Sequence, residues 1–357
     1  MDAADLLSGI DLDGLAHDVE ALEMPPAVAG RTVHVDADFL AYQVSYEKAD
    51  GTDTKTIDDM KHNAEIAVET LRGLAAAEFV HLHLTPSDSN KGGRFEQALL
   101  KEYQANRADK EKPRYLNIMR NWLEERYNGT QHRDCEADDG MSSAQYKAID
   151  AGSRNLSIIA SKDKDLSMVP GLHLDWDRGS IHETETDYGS LWLYEKRSAS
   201  GVMTKKVKGY GQKFFWAQML MGDQADNISG LPKVVGSVLN KVSPTQAIEN
   251  AMRIIENPIS NAAMKAKAQR TIDERKAAAC GPVMAMNLLA DVNNNKDAFN
   301  VVRDLYQKYG ETIGFTHWQT GAPVDWTFAF VSEARLLWMR KDRANPDDVL
   351  NWWRTFL

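Results

Sequence analysis

Residues 32–38 read TVHVDAD, an apolar run that alternates with polar residues and ends in two acidic side chains. The same plan recurs at 79–84 (FVHLHL) and at 156–160 (LSIIA), where an apolar run leads into a polar loop. Runs of this length predict strands, and the amphipathic stretch 57–76 predicts a helix between the first two. Strands that alternate with helices predict an α/β fold with a doubly wound, mostly parallel sheet.

Acidic side chains share one position relative to these strands. Asp36, Asp88, Asp163 and Asp165 each follow the C-terminal end of a predicted strand. Because the C-terminal ends of parallel strands lie at one edge of a sheet, where ligands usually bind, we expect these carboxylates to meet in one crevice.

The stretch CEADDGMSSAQY at 135–146 places Glu136, Asp138 and Asp139 in the first turn of a predicted helix. Acidic residues there also complement the helix dipole, so capping is an alternative explanation. Together with the strand-end acids, however, each extra carboxylate raises the free energy of ionising its neighbour. A divalent cation reverses that cost, and oxygen donors suit hard ions such as Mg²⁺ or Mn²⁺.

Charge is distributed unevenly along the 357 residues, whose net charge is −10. Residues 1–29 carry seven acidic and no basic side chains, whereas 91–133 carry a net +4 and 194–213 a net +5. This pattern predicts local binding of a polyanion. The leader is expected to form a helix packed on the body; a second hypothesis is that it competes with nucleic acid for the basic groove.

Two cysteines, Cys135 and Cys280, give neither a disulfide framework nor zinc spacing, which favours a cytoplasmic protein. No apolar run approaches the ~20 residues of a membrane span, so no membrane partner is expected. We expect a monomer.

Two further segments carry chemistry. In residues 91–107, a predicted helix places Phe95, Leu99 and Tyr103 on one stripe. Residues 212–241 predict a helix, the acidic loop GDQADNISGLP and a second helix from about Lys233. A tight loop before a helix presents N–H groups to a phosphate, although an ordinary αα-hairpin capped by aspartates has the same pattern.

Taken together, VDADFLAYQ, GRFEQALLKEYQANR, CEADDGMSSAQY, ASKDKDL and GDQADNISGLP resemble motifs of the 5′-nuclease family. That family includes flap endonucleases, the 5′-nuclease domain of bacterial DNA polymerase I and phage 5′→3′ exonucleases. The resemblance spans residues 31–240. It implies a PIN-like nuclease core at 30–210 with a helical arch at about 90–133, a helix-three-turn-helix at 211–245 and a mainly helical region at 246–357.

The resemblance implies a metal-dependent 5′→3′ exonuclease or flap endonuclease that acts on DNA with a 5′ end, in a duplex, a flap or an RNA–DNA hybrid. Phage DNA replication, primer removal or DNA degradation would be its setting, and host cytoplasm its location. Two Mg²⁺ ions, replaceable by Mn²⁺, are implied, with a K⁺ ion at the helix-three-turn-helix. The implied ligands are Asp36, Glu136, Asp138 and Asp139 for the first ion, Asp163, Asp165, Asp223 and Asp226 for the second, and Asp88 as a further ligand.

The arch motif of the family usually reads Tyr-Lys-Ala/Gly-x-Arg, but here Gln104 follows Tyr103. We expect Lys101, one turn earlier, to replace the missing cation and to act in the chemical step with Arg94 and Arg107. The implied DNA-binding residues are Tyr103, Gln104, Lys205, Lys206, Lys208, Lys213, Gly230, Lys233 and Gly236.

Two alternatives remain open from the sequence. A PIN-type ribonuclease also uses clustered carboxylates on a similar sheet. A non-catalytic nucleic-acid-binding replication scaffold would account for the basic stretches but gains nothing from nine carboxylates near its groove.

Overall fold

The computed structural model describes residues 24–47, 55–107, 111–184, 186–198, 201–275 and 279–357. Most of the predicted acidic leader, residues 1–23, lies outside the described residues. In the part of the chain that the structure describes, no helix is long and apolar enough to cross a membrane.

A six-stranded sheet forms the centre of the N-terminal half, in the order β3-β2-β1-β4-β5-β6. Strands β1 to β5 are parallel and β6 is antiparallel to β5, so the predicted mostly parallel sheet is confirmed. The strands are β1 (Val28–Asp36), β2 (Ala77–Leu84), β3 (Thr130–Gln131), β4 (Ser157–Ala160), β5 (Leu172–Leu174) and β6 (Ile181–Glu183).

The helices of this half lie on both faces of the sheet. They are α1 (Ala37–Ser45), α2 (Ile57–Leu74), α3 (Arg94–Gln97), α4 (Leu116–Tyr127) and α5 (Ala137–Asp150). On one face, Val33 and Val35 of β1 pack in a core with Met60 of α2 and Met119 of α4. On the other face, α5 crosses β1, β2 and β4. Alternate side chains of β1 therefore point to opposite faces of the sheet and pack against the helices on each face.

The order of the strands reverses beside β1. The chain proceeds from β1 to β2 and β3 on one side and then returns to place β4 on the other. In open α/β sheets the crevice outside the carboxyl ends of the strands at such a switch point is the usual ligand site. Asp36, at the end of β1, and the acidic loop after β4 lie at this crevice.

The C-terminal half is mainly helical. It contains α6 (Gln212–Met221), α7 (Gly236–Val242), α8 (Gln246–Glu256), α9 (Ala262–Asp273), α10 (Pro282–Leu289), α11 (Asn295–Thr312), α12 (Trp326–Leu337) and α13 (Asp348–Trp353). An antiparallel ribbon, β7 (Ser190–Arg197) and β8 (Met203–Tyr210), precedes α6, and the short pair β9 (Phe315–Thr316) and β10 (Pro323–Val324) precedes α12.

Tryptophans hold this half together. Trp338 stacks on Trp352 with 4.2 Å between ring centroids, and Trp353 stacks on Trp216 of α6. Trp338 and Trp353 are buried, so both act in packing. The same continuous core includes Met141 of α5, so the two halves share it.

The segment 91–107 differs from the continuous helix that the sequence predicts. Only short helical turns form, at Lys91–Gly93, Arg94–Gln97 and Ala105–Arg107. The chain leaves the helix at Ala98 because it packs against the C-terminal half. The Ser332 hydroxyl donates to Gln97 O (2.6 Å), and Trp318 N donates to Leu99 O (3.0 Å).

Four histidines lie between the sheet and α5. The ring nitrogens of His34 and His83, and those of His83 and His132, are 3.0 Å apart, and Arg343 Nη1 is 3.1 Å from His132 Nδ1. Arginine only donates, so His132 Nδ1 accepts from Arg343. His132 Nε2 then donates to His83 Nδ1, and His83 Nε2 donates to His34 Nδ1. Burial lowers the pKa of His34 to about 3 and that of His132 to about 4, because charged imidazole is poorly solvated there.

We expect these histidines to contribute a free energy of unfolding that rises with pH between about pH 4 and 6. The unfolded chain takes up protons below the ordinary histidine pKa of 6.5, whereas these folded imidazoles remain neutral, so acid favours unfolding. Replacing His34→Leu should flatten this slope by up to about 1.4 kcal/mol per pH unit. Urea denaturation of wild type, His34→Leu and the exposed control His62→Leu measures it. A slope unchanged by His34→Leu contradicts the assignment.

Candidate metal centre

Asp36 lies at the centre, because it is the last residue of β1 and the N-cap residue of α1. Its Oδ1 accepts a hydrogen bond from Phe39 N (2.9 Å), which caps α1, and its Oδ2 accepts one from the Ser161 hydroxyl after β4 (2.9 Å). Burial, with Asp38 and Asp163 nearby, raises the pKa of Asp36 to about 7. The strand end and the β4 loop are thus joined at one carboxylate.

Asp138 stands in the first turn of α5, opposite Asp36 and Asp163. Among the described residues it has no hydrogen-bond or ion-pair partner. Burial raises its pKa well above the usual range, and the negative charges of Asp163 and Asp36 raise it further. A partly buried carboxylate without a partner, surrounded by like charges, is unfavourable unless a cation is nearby.

These groups line a cavity of about 280 Å³. Its acidic lining residues are Asp36, Asp38, Glu136, Asp138 and Asp163. Its basic lining residues are Lys91, Arg107, Lys112 and Arg120. Arg120 is paired with Asp38 at 2.9 Å, and Thr85 N donates to the other oxygen of Asp38 (2.8 Å), so Asp38 is neutralised by the protein itself.

A second acidic cluster combines Asp165, Asp223 and Asp226. One oxygen from each carboxylate lies within 4.8 Å of the others. Lys164 Nζ contacts Asp165 Oδ1 (2.7 Å) and Asp223 Oδ2 (2.9 Å), and this cation lowers the pKa of Asp223 against the effect of its burial. The arrangement brings three oxygen donors close enough together to share one small cation.

Asp163 connects the two clusters. It lines the cavity with Asp138, and the charges of Asp226 and Asp223 also raise its pKa, after burial, against a backbone hydrogen bond and Lys164 that lower it. The carboxylates therefore form one continuous group rather than two separate ones. Such an all-oxygen donor set fits Mg²⁺ or Mn²⁺, whose ligands are carboxylates and water.

Asp139 lies in a different environment from the other predicted ligands. Its two oxygens accept from Arg94 Nη1 (2.7 Å) and Nη2 (2.9 Å), and Arg340 N donates to it at 3.2 Å. Arg94 is 1% exposed and also contacts Glu136 at 3.1 Å. The cation lowers the pKa of Asp139 even though burial opposes this. Asp139 and Arg94 thus pair with each other inside the protein, and neither lines the cavity.

Asp88 is also separated from the cluster. It is exposed and forms an ion pair with Arg133, beside a different cavity. The irregular loop after β2 carries it away from the crevice.

Lys91, which the sequence reasoning did not single out, lines the cavity beside Glu136. Its ammonium group contacts the Gln104 side-chain oxygen and lies 3.5 Å from Glu136 Oε1. Lys101, in contrast, is exposed and does not line the cavity. Because the predicted helix stops at Gln97, Lys101 is not carried to the face that the sequence pattern assigned to it. The position of Lys91 depends on its contact with Gln104, 13 residues away, which no local sequence pattern indicates.

The other predicted site residues of the segment 91–107 contact both acidic clusters. Arg107 Nη2 pairs with Asp226 at 2.6 Å, and Gln104 Nε2 donates to the same carboxylate at 2.8 Å. Tyr103 is buried and donates its hydroxyl to Glu136 (3.0 Å). This segment is therefore attached to both acidic clusters.

The helix–loop–helix of α6 and α7 adjoins the second cluster, which receives Asp223 and Asp226 from its loop. Gly230 has φ +57°, and its N–H donates to Glu333 of α12 (2.8 Å). Glu333 is fully buried, which raises its pKa to about 7. Gly236 begins α7 against the backbone of Arg275, where a Cβ has no room.

The predicted phosphate-binding lysines divide between two surfaces. Lys233 is exposed on the loop, and Lys213 lies over the ring of Tyr188 at the start of α6. Lys205, Lys206 and Lys208 all lie on strand β8 of the ribbon. Lys205, Lys208 and Lys233 are exposed, Lys206 and Lys213 are partly buried, and Lys208 lines a cleft that Asp163 also lines.

Loss of the Arg94 side chain should destabilise the protein strongly. Arg94→Met leaves the buried carboxylate of Asp139 unpaired, for which the cost is about 3–5 kcal/mol. The matched control is Arg133→Met, which breaks an exposed ion pair worth less than about 1 kcal/mol. Urea denaturation compares the two; equal effects would show that the Arg94–Asp139 pair is not the stabilising contact.

No protein-family model matches this chain, and no curated protein matches it. Among solved structures, it is similar to the flap endonuclease of bacteriophage T5, determined as a pseudo-enzyme–product complex with DNA and metal ions. The identity is 13%, the TM-score is 0.40, and the alignment covers 86% of this chain and 99% of that one. A likeness of this size does not assign the chain to a family.

Proposed function

We propose that this protein is a metal-dependent nuclease that hydrolyses phosphodiesters near 5′ ends of DNA, as a 5′→3′ exonuclease or a flap endonuclease. The observation that carries the proposal is Asp138: a carboxylate with no partner in the described residues, among like charges, in a cavity at the switch point of the sheet. That arrangement has a physical reason only when cations are bound.

Asp36, Glu136, Asp138 and Asp163 would hold one divalent ion, and Asp165, Asp223 and Asp226 the other. When bound, two such ions would supply an activated water and stabilisation of the leaving oxygen of a phosphodiester. Asp139 would act indirectly, by fixing the start of α5 through Arg94. This role replaces direct ligation because Asp139 is fully buried, both of its oxygens pair with Arg94, and it does not line the cavity.

Lys91 would supply the cation beside the reacting phosphate. Its ammonium group lines the cavity, and its carboxylate contact at 3.5 Å is loose enough to exchange for a phosphate oxygen. Lys233, Lys213 and the ribbon lysines would bind duplex phosphates on either side. Such contacts weaken steeply as salt concentration rises.

Asp138→Asn should reduce cleavage by ~10²–10³-fold, because one ion loses a charged ligand and several kcal/mol of transition-state stabilisation with it. The control is Asp88→Asn, which removes an acid outside the cavity. The assay uses 5′-labelled blunt duplex, flap and RNA–DNA hybrid in Mg²⁺ and in EDTA. Turnover by Asp138→Asn equal to wild type, or full turnover in EDTA, contradicts the proposal; preference for RNA would favour a ribonuclease.

Lys91→Met should lower kcat about 100-fold while KM changes little, since a cation aimed at developing charge acts in the transition state. Lys101→Met is the matched control, and Lys91→Arg should recover part of the rate. Single-turnover kinetics on the preferred substrate measures both. If Lys101→Met slows the chemical step and Lys91→Met does not, the cation comes from Lys101 instead.

A further inference from the structure

We propose that a second cleft, next to the metal centre, binds one unpaired nucleobase of the strand being cut. The inference rests on the proposed function, because it names the part of the substrate that this cleft holds. The cleft has a volume of about 260 Å³ and lies between the loops after β4 and β5 and the end of β8.

Aromatic rings form its walls. His182 of β6 stacks on Tyr210 of β8, with 3.7 Å between ring centroids and 26° between planes. Trp176, in the turn after β5, is half-buried and also lines the cleft. Because His182 and Tyr210 already cover one side of each other, a base would stack on an outer side of this pair or on Trp176. Every base has a flat π face, so such rings bind bases without regard to sequence.

The cleft continues directly from the metal centre. Asp163 lines both cavities. Phe39, on the wall of the metal cavity, meets Trp176 edge-on, with ring centroids 5.5 Å apart. A strand whose phosphate lies at Asp163 therefore has an adjacent nucleotide within reach of the aromatic walls.

Charge decides which part of a nucleotide enters. The lining carries three lysines, at 162, 164 and 208, and three aspartates, at 163, 175 and 177. Lys162 is paired with Asp177, and Lys164 with Asp165 and Asp223. Lys208 has no carboxylate partner among the described residues and lies 5.9 Å from the ring of Tyr194. The balanced interior favours a neutral base, and Lys208 at the mouth suits a single backbone phosphate.

Size sets a further condition. The cleft is smaller than the ~300–1,000 Å³ typical of small-molecule pockets. One base fits such a volume, whereas a base pair does not. The nucleotide beside the reacting phosphate must then be unpaired, as in a flap or a frayed 5′ end.

The test uses the full chain in Ca²⁺ without Mg²⁺, with single-stranded oligonucleotides that carry 2-aminopurine at successive positions. We expect fluorescence to be quenched at one position only, in the wild type and in Tyr210→Phe. Tyr210→Leu should abolish that quench and weaken binding about tenfold. His182→Ala, at an exposed position, should also abolish the quench and weaken binding. Phe328→Leu, which replaces an exposed aromatic residue on α12, is the control and should change neither.

Three outcomes would contradict the subsite. They are quenching at every position, quenching at no position, and quenching that is unchanged in both Tyr210→Leu and His182→Ala. Circular dichroism of each variant identifies any that fails to fold, and His182→Ala decides if Tyr210→Leu is lost. A chain that shows the single quench but never cleaves DNA contradicts the proposed function and leaves the subsite standing. A chain that cleaves without the single quench contradicts the subsite alone.

Discussion

The buried ion pair between Arg94 and Asp139 is the contact on which the arrangement of the centre depends. Arg94 also donates to Leu336 O (3.4 Å) and Trp338 O (3.2 Å), so one guanidinium joins the segment after β2, the start of α5 and the C-terminal half. The desolvation of both charges costs several kcal/mol, which only such a full set of hydrogen bonds can offset. Successive residues on a helix point about 100° apart, so anchoring Asp139 inward turns Asp138 toward the cavity.

The fold holds together carboxylates that would separate in a flexible chain. Burial and mutual repulsion raise the pKa of Asp36, Asp138 and Asp163, while the cations Arg94 and Lys164 keep that of Asp139 and Asp223 low. Arg94 therefore neutralises Asp139 away from the cavity, and Lys164 shares its charge between Asp165 and Asp223 within the second cluster, whereas Asp138 has no partner among the described residues. Carboxylates of the same chemistry thus differ in how much of their charge remains for an external cation.

The sequence predicted the sheet and the strand-end acids because both follow local patterns. A strand end fixes where Asp36 and Asp163 lie relative to the sheet, whatever the rest of the chain does. It did not predict the partner of Asp139, since Arg94 and Arg340 are 45 and 201 residues away. The sequence pattern predicted that Lys101 would reach the cavity, because it extended the helix past Gln97. Tertiary contacts end that helix at Gln97. Asp88 was predicted to lie at the centre because it follows a strand. In the structure its loop holds it in an ion pair with Arg133, away from the cavity.

The Glu333–Gly230 hydrogen bond has a consequence for how this protein could be divided. The helix that supplies Glu333 also contributes Ser332, which binds the segment 91–107, and Leu336, which binds Arg94. One C-terminal helix thus supports both the loop between α6 and α7 and the segment 91–107 beside the acidic cavity. A fragment ending at residue 245 would keep every proposed metal ligand in its sequence and lose the support that sets their positions. In this chain the smallest cooperative unit is larger than the set of residues that carry the chemistry.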